Sequence, residues 1–328
     1  MTDQHTSRIA VIGAGIAGLT CASKLAEAGM LVDVFEKSRG IGGRIATRRT
    51  EEGVHFDHGA QYFTAATPAF QDFTAKQLHA GTLERWRPEG RPETARSDWL
   101  VGRPTMNAFL KPLDSGFAVA LGIQVEAILP APGGWSLRIA GSDTATDYNG
   151  VVVTAPSPQA KILTRASEKL QARLDGVDVA PCWALMLSAR QTGQSDRSIL
   201  ENPHPDIAWM ARNTSKPGRN TQPETWVIHA SAEYSTHHLE AEPGAVAAHL
   251  QQIALPLIGL PQSAVIQVMG HRWRYARTIR AAGTPFLSDE TGTLLAAGDW
   301  CLGARVESAF ESGRAAAEFL AGKLDRRD

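Results

Sequence analysis

Residues 8–40, "RIAVIGAGIAGLTCASKLAEAGMLVDVFEKSRG", decide the fold. Ile9 to Ile12 is a continuous apolar run, as expected of a strand buried on both faces of a parallel sheet. Gly13, Gly15 and Gly18 follow at the G-x-G-x-x-G spacing. Ile16 to Ala28 reads as a helix, with Gly29 as its stop. "LVDVFE" is a second strand, closed by Glu36. The physics fits a dinucleotide. Gly13 allows the tight turn, Gly15 lets the backbone approach a pyrophosphate, and Gly18 lets helix and strand pack closely. The helix N-terminus, at Ile16 and Ala17, supplies N–H groups and a positive partial charge. Glu36, about twenty residues past the glycines, can accept two hydrogen bonds from a ribose diol. A glycine turn without a ligand is the competing reading; strand, glycines, helix, strand and terminal Glu in this order argue against it.

The chain has 328 residues, enough for one large or two ordinary domains. Hydrophobic residues make up 43% and charged residues 20%, an ordinary globular composition. The formal net charge is −1, so bulk attraction to nucleic acid or to an anionic membrane is not expected. "IALPLIGL" (253–260) is too short to span a bilayer and is broken by Pro256 and Gly259. "MTDQHTSRIAVIG" has no apolar segment ahead of the first strand, so no secretory leader is expected. Cys21, Cys182 and Cys301 are far apart and odd in number, which favours a reducing compartment without disulfides. No histidine pair stands at helical ligand spacing beside a carboxylate, so no metal is expected. These features predict a cytoplasmic protein with no membrane, nucleic-acid or obligate protein partner.

The same glycine fingerprint serves NAD and FAD, and the next segments separate them. "KSRGIGGRIATRR" brings Lys37, Arg39, Gly43 and Arg44 just past the second strand. A Gly-Gly-Arg loop can lay a guanidinium on a second phosphate with bidentate geometry. The loop resembles that of flavoproteins of the amine oxidase and glutathione reductase families. "FDHGAQYF" (56–63) follows. In amine-oxidase-like flavoproteins an Asp-x-Gly-Ala segment passes close to the isoalloxazine. That resemblance implies that Gly59 and Ala60 admit the ring and that Gln61 and Tyr62 sit near its reactive edge. An ordinary strand–turn with core aromatics is the alternative, and it is the reading for Phe63.

Further along, 87–98 reads as a polar surface loop and Met106 to Leu110 as a helix start. "GIQVEAILPAPGGWSLRIA" reads as a hairpin, with Val125 placed beside an adenine by analogy with the flavoprotein group. Val151 to Thr154 reads as another buried strand. The pattern then changes. "CWALMLSA" and "ETWVIHASAEYS" are strand-like, and "EPGAVAAHLQQIALPLIG" is a helix with Pro243 near its start. These features predict an α/β fold: a Rossmann-type FAD-binding domain, of the glutathione reductase and p-hydroxybenzoate hydroxylase kind, interleaved with a mixed-sheet α+β substrate domain. The expected boundaries are 1–75, 97–162 and 272–328 for the first, and 76–96 and 163–271 for the second.

The insert carries the candidate substrate residues: Trp209, Arg212, Asn213 and Lys216, then Trp226 and His229, then the run "GHRWRYAR". In an extended strand Arg272 and Arg274 share one face, with His271, Trp273 and Tyr275 on the other. Each has an ordinary alternative, a core histidine or a solvated arginine. Together "IAVIGAGIAGL…FEKSRGIGGR", "HGAQYFT", "WMARNTSKPGR", "TWVIHA", "HRWRYAR" and "GDWCLGARVESA" resemble the bacterial renalases, flavoproteins of the amine-oxidase superfamily. The resemblance covers about Arg8 to Leu320. It implies non-covalent FAD and oxidation of misreduced nicotinamide dinucleotides, the 2-dihydro and in some members the 6-dihydro isomers of NAD(P)H. Hydride passes to flavin N5, NAD(P)+ is released, and O2 reoxidises the flavin to give H2O2, a metabolite-repair role. It also implies that Gly298 and Asp299 bind the FAD ribityl or pyrophosphate region. The helix from Val306 and Glu307 would then point its N–H groups at the flavin's pyrimidine end.

Arg305 stands where amine oxidases of the superfamily usually place a cage tyrosine, and a guanidinium repels a protonated amine. A pyrophosphate-bearing substrate suits Arg212, Lys216, Arg272 and Arg274. Trp273 or Trp226 can stack on a nicotinamide ring, and Asn213 and His229 can hydrogen-bond its carboxamide. Hydride transfer from a dihydropyridine needs no strong base, so Gln61, Tyr62 and His229 are positioning candidates. A true amine oxidase or desaturase on the same fold, and a non-enzymatic FAD-fold scaffold, are the competing functions.

Overall fold

In the computed structural model, residues 6–113, 116–144, 147–190 and 196–325 are described. The N-terminal MTDQH, part of the segment in which no leader was expected, lies outside the described residues. The chain divides into two compact units. The first comprises Met1–Gly43, Leu110–Val179 and Thr278–Asp328; the second comprises Arg44–Phe109 and Ala180–Arg277. The packing boundaries differ from the sequence expectation: residues 44–75, 97–109 and 272–277 lie in the second unit and 163–179 in the first. The chain crosses between units where the glycine loop meets Arg44, a point with no compositional break.

The first unit is built on a six-stranded sheet. Its order is Leu287–Ser288, Leu294–Ala296, Gly150–Val153, Arg8–Ile12, Leu31–Glu36 and Ala118–Leu121. The four pairings from Leu294–Ala296 to Ala118–Leu121 are parallel, and only the Leu287–Ser288 edge is antiparallel. Parallel strands must be buried on both faces, and the central strands comply: Ile9, Ala10, Val11, Val151, Val152 and Val153 are fully buried. The helix Ile16–Glu27 follows the first strand directly. It packs on the C-terminal helix Val306–Leu324, where a Cβ on Gly313 would lie 2.1 Å from the Ala17 carbonyl oxygen. The strand at Leu294–Ala296 returns to the N-terminal sheet, in register with Val151–Val153, as the sequence suggests. The expected hairpin forms between Val125–Ala131 and Gly134–Ile139.

The second unit holds a five-stranded sheet in the order Ile199–His204, Ile207–Arg212, Glu224–Ala230, Asp178–Ala189, Val265–Arg280. Its first three neighbour pairs are antiparallel. Strand alternation gives it two faces. Trp183, Leu185, Met210, Trp226 and Ile228 pack with the helix Pro243–Ile258. Met186 and Val227 turn the other way, onto Phe56. Two local readings change. "SAEYS" leaves the strand for a short helix, Ala232–His237, because Ser231 caps it by accepting from the Tyr234 N–H. The helix expected from Met106 is a 3-10 segment, Ala108–Leu113.

The thiols are all suppressed. Cys21 and Cys301 are buried, and Cys182 turns its sulfur towards the carbonyls of Trp183 and Ala230. Burial pushes each thiol pKa up to about 12.

Candidate functional site

In the first unit the glycine turn is fixed by contacts a side chain would break. A Cβ on Gly18 would lie 1.9 Å from the Gly13 carbonyl oxygen, and one on Gly13, at φ +111°, 2.7 Å from Thr154 Oγ1. Gly15 is different: no protein atom lies within 4 Å of where its Cβ would be. Two glycines therefore serve the turn itself, while the third leaves room beside the backbone. The helix begins at Ile16 with no side-chain cap and no acidic residue in its first turn, so its N–H groups and positive end face that room. Glu36 is buried, with Oε2 accepting from the Ala14 N–H at 2.8 Å and Oε1 from the Ser38 N–H at 2.8 Å. The second glycine loop docks on the first through the Gly42 N–H, which donates to the Ala14 carbonyl at 2.9 Å. Lys37 and Arg39 are exposed beyond it. Val125 shares the core cluster of Ile12 and Val153.

At the same end of the sheet, past the strand Leu294–Ala296, a Cβ on Gly298 would lie 2.6 Å from Trp300 Nε1, and the Gly298 N–H donates to Ser312 Oγ at 2.8 Å. Asp299 is buried and accepts from Thr278 Oγ1 at 2.9 Å. Glu307 is buried in the first turn of the C-terminal helix, next to Val306. Arg305 is the exposed N-cap residue of that helix and makes no side-chain cap.

The second unit organises its polar groups around residues 55–62. Asp57 is buried and its carboxylate holds four partners: Arg219 Nη2 at 2.6 Å, Lys216 Nζ at 3.4 Å, Thr47 Oγ1 at 2.6 Å and the Met106 N–H at 3.0 Å. Burial alone would raise its pKa, but the two cations and the hydrogen bonds outweigh it and hold the carboxyl well below the usual carboxylate range. Burial lowers Lys216 to about 8, with Asp57 opposing. Gln61 folds back on this cluster: Nε2 donates to the Asp57 and Gly59 carbonyls, and Oε1 accepts from Lys216 at 3.1 Å. Asn213 braces the preceding turn, accepting from the Asp57 N–H at 3.3 Å and donating to the His55 carbonyl at 3.1 Å.

The His58 carbonyl takes two contacts, from Trp273 Nε1 and His229 Nε2, each at 3.0 Å. Donation from His229 requires the tautomer protonated at Nε2. The rings of His58, His271 and Trp273 cluster with centroids 4.5–4.8 Å apart. Burial lowers His58 to about 3, helped by His271, His229 and Arg48, and lowers His229 to about 4. These imidazoles are therefore neutral at physiological pH. Beside them Tyr62 stacks on Trp99 at 3.8 Å and 9°, with Trp86 and Trp209 around the pair.

Several sequence expectations are corrected here. Lys216 is not available to a substrate phosphate, because its ammonium is wholly buried against Asp57 and Gln61. Arg212 lies opposite Trp226 in register, on the helix-packed face of the sheet, with Glu224 3.7 Å away. Arg272 and Arg274 both reach Glu240 on the connection before the helix Pro243–Ile258, on the strand face opposite His271 and Trp273. Trp226 is buried in the helix-packed core and cannot stack on a ligand. Gln61, Asn213, His229 and Trp273 hold the 55–62 segment. The smallness of Gly59 serves Arg44, whose carbonyl oxygen a Cβ would meet at 1.9 Å and which accepts from the Ala60 N–H. Arg44 itself donates to the Ala276 carbonyl.

Sequence reasoning missed Asp57, Arg219 and Trp99. Asp57 stood inside a quoted motif, but its partners lie about 160 residues away, beyond any local pattern. No described group of three or more His, Cys, Asp and Glu residues is arranged to hold a metal, and no described helix is long and apolar enough to cross a membrane.

The parallel sheet and glycine turn define an α/β chain built on a Rossmann-like nucleotide-binding domain, and residues 11–76 match the family model of the NAD(P)-binding Rossmann-like domain. Among characterised proteins, the chain is 41% identical over 80 residues to the 15-cis-phytoene desaturase of Synechococcus elongatus, covering 24% of this chain and 17% of that protein. It is 40% identical over 74 residues to the L-amino-acid oxidase of Siganus canaliculatus, covering 22% and 14%. It is 41% identical over 61 residues to protoporphyrinogen oxidase 2 of Arabidopsis thaliana, covering 19% and 12%. Each match thus spans less than a fifth of the relative's length. A crystal structure from Exiguobacterium sp. 255-15, provisionally assigned as a protoporphyrinogen oxidase, shares the fold over 98% of this chain and 99% of its own, with a TM-score of 0.77 and 11% identity.

Proposed function

We propose that this chain is a flavin-dependent oxidoreductase acting on misreduced nicotinamide dinucleotides, the 2-dihydro and also the 6-dihydro isomers of NAD(P)H. It returns NAD(P)+ and delivers the electrons to O2 as H2O2, a repair activity of the renalase type in the cytoplasm. The cradle at Gly13, Gly15, Gly18 and Glu36 fits the adenosine pyrophosphate of a non-covalent FAD, because the Gly15 backbone has open space on the side a phosphate would approach. Gly43, Gly298, Asp299, Val306 and Glu307 would complete its binding. When bound, the flavin supplies the hydride acceptor.

The observation that carries the substrate reading is the protonation state of the second unit. Burial lowers His58 to about 3 and His229 to about 4, which makes both weak bases, and the buried carboxylate Asp57 is locked between Lys216 and Arg219. No group of this set is poised to take a proton from a substrate. A dihydropyridine needs none, since its ring nitrogen supplies the electron push. The residues' task is to fix the 55–62 segment, orient the donor carbon and exclude water.

An amine oxidase or desaturase is the second reading, favoured by the names of the relatives that match. Anaerobic stopped-flow reduction separates them. Rapid bleaching of the bound flavin by 2- or 6-dihydro-NAD(P), and none by amines, is expected. Bleaching by amines alone would overturn the proposal in favour of the second reading.

A further inference from the structure

Trp209 Nε1 and Arg91 Nε are both buried donors without a hydrogen-bond partner. Buried N–H groups are rarely left unpaired, and each one so left lowers stability, so an orphaned pair calls for an absent acceptor. Both belong to one aromatic box. Trp99 is its centre: Tyr62 stacks on it, the Trp209 ring lies 5.9 Å away and the Arg91 guanidinium carbon 5.4 Å from its centroid. Arg91 is held in place by its Nη2, which donates to the Ala95 and Ser97 carbonyls at 3.0 and 2.6 Å. Tyr62 is only half-buried, so the box opens to solvent. Glu201 lies opposite Trp209 in register, exposed at the rim.

We propose that this box is a binding subsite for a planar aromatic ring bearing a carbonyl acceptor, with Trp209 and Arg91 as its specificity-determining donors. The two orphaned groups only donate, so the ligand must present lone pairs to them. That requirement sets a carbonyl-bearing ring above an organic cation, which the aromatic rings and Glu201 would otherwise suit. Resting on the proposed function, the ring is the substrate's nicotinamide, recognised through its carboxamide oxygen. The amide N–H2 is not required, since neither donor can accept from it.

The test is fluorescence titration of the flavin-containing protein with nicotinamide, acetophenone, toluene and benzylamine. Nicotinamide and acetophenone should bind alike and toluene more weakly. Trp209→Phe, which keeps the ring and removes the N–H, should weaken the two carbonyl ligands by about tenfold, as loss of one buried hydrogen bond does, and leave toluene unchanged. Arg91→Lys should act in the same direction. Preferred binding of benzylamine, absence of binding by the carbonyl ligands, or equal affinities in wild type and both variants would overturn the subsite. Anaerobic reduction by dihydronicotinamides is measured in parallel. Unchanged reduction kinetics in both variants would sink the subsite and spare the proposed function. Carbonyl-selective binding without any reduction would sink the function and spare the subsite.

Discussion

Gly15 and Gly18 share a motif but differ in what surrounds them. An alanine at Gly18 would drive its methyl into the Gly13 carbonyl, a backbone atom that cannot step aside. Gly18→Ala should therefore destabilise the protein by about 1–3 kcal/mol, the usual range for overpacking, read as a lower melting temperature. Gly15→Ala meets no protein atom and should leave the apoprotein's melting temperature unchanged, yet lower the flavin content of the purified protein. Asp57 has the opposite problem, too many partners to lose. Asp57→Asn leaves Lys216 and Arg219 buried together without their counter-charge and should cost about 3–5 kcal/mol in denaturant unfolding. Removing one cation as well, in Asp57→Asn with Lys216→Met, should recover part of that loss.

Among the elements, the strands Glu224–Ala230 and Val265–Arg280 matter for what their alternate residues face. His229 and His271 lie near His58, and burial lowers the pKa of all three imidazoles in the folded state. In the unfolded chain an imidazole takes up its proton near pH 6.5, as a rule. Folded His229 holds out to about 4 and folded His58 to about 3. Between those limits the unfolded state binds more protons, so stability rises with pH and is lost as pH falls below about 6.5. Each such histidine contributes a slope of about 1.4 kcal/mol per pH unit in that window. Denaturant unfolding from pH 7 to pH 5 should show the decline, and His229→Gln should make it shallower by one histidine's share. The same alternation orders the arginine run: residue types showed that Arg272 and Arg274 share a face, but not that both pair with Glu240.

For the whole molecule, the legible part of the sequence was the part whose contacts are local. The glycine turn, its helix and the strand ending in Glu36 lie within thirty residues of one another, and their spacing carries the geometry. The return of Leu294–Ala296 to the same sheet was legible too, because a short apolar run stopped by Gly298 reads as a buried strand. The second unit resisted because its network joins residues 57, 61, 213, 216, 219 and 229 from separate segments. Burial decides their roles, and no periodicity reports burial of a lysine. Lys216 looked like a phosphate ligand because a lysine beside arginines usually meets solvent. If the cofactor is FAD held by the cradle alone, acid precipitation should leave the yellow chromophore in the supernatant and none on the pelleted chain.

The suppressed thiols bear on durability. A thiol reacts with peroxide as the thiolate, and a group that ionises only near pH 12 offers almost none at neutral pH. Under the proposed function, each turnover would release H2O2 beside the chain's own surface. With Cys21 and Cys301 buried and Cys182 kept protonated, its sulfhydryls are poor targets for the product. Intact mass after prolonged catalysis should show no added oxygen on cysteine, and the thiols should answer to alkylating reagents only once the chain has unfolded.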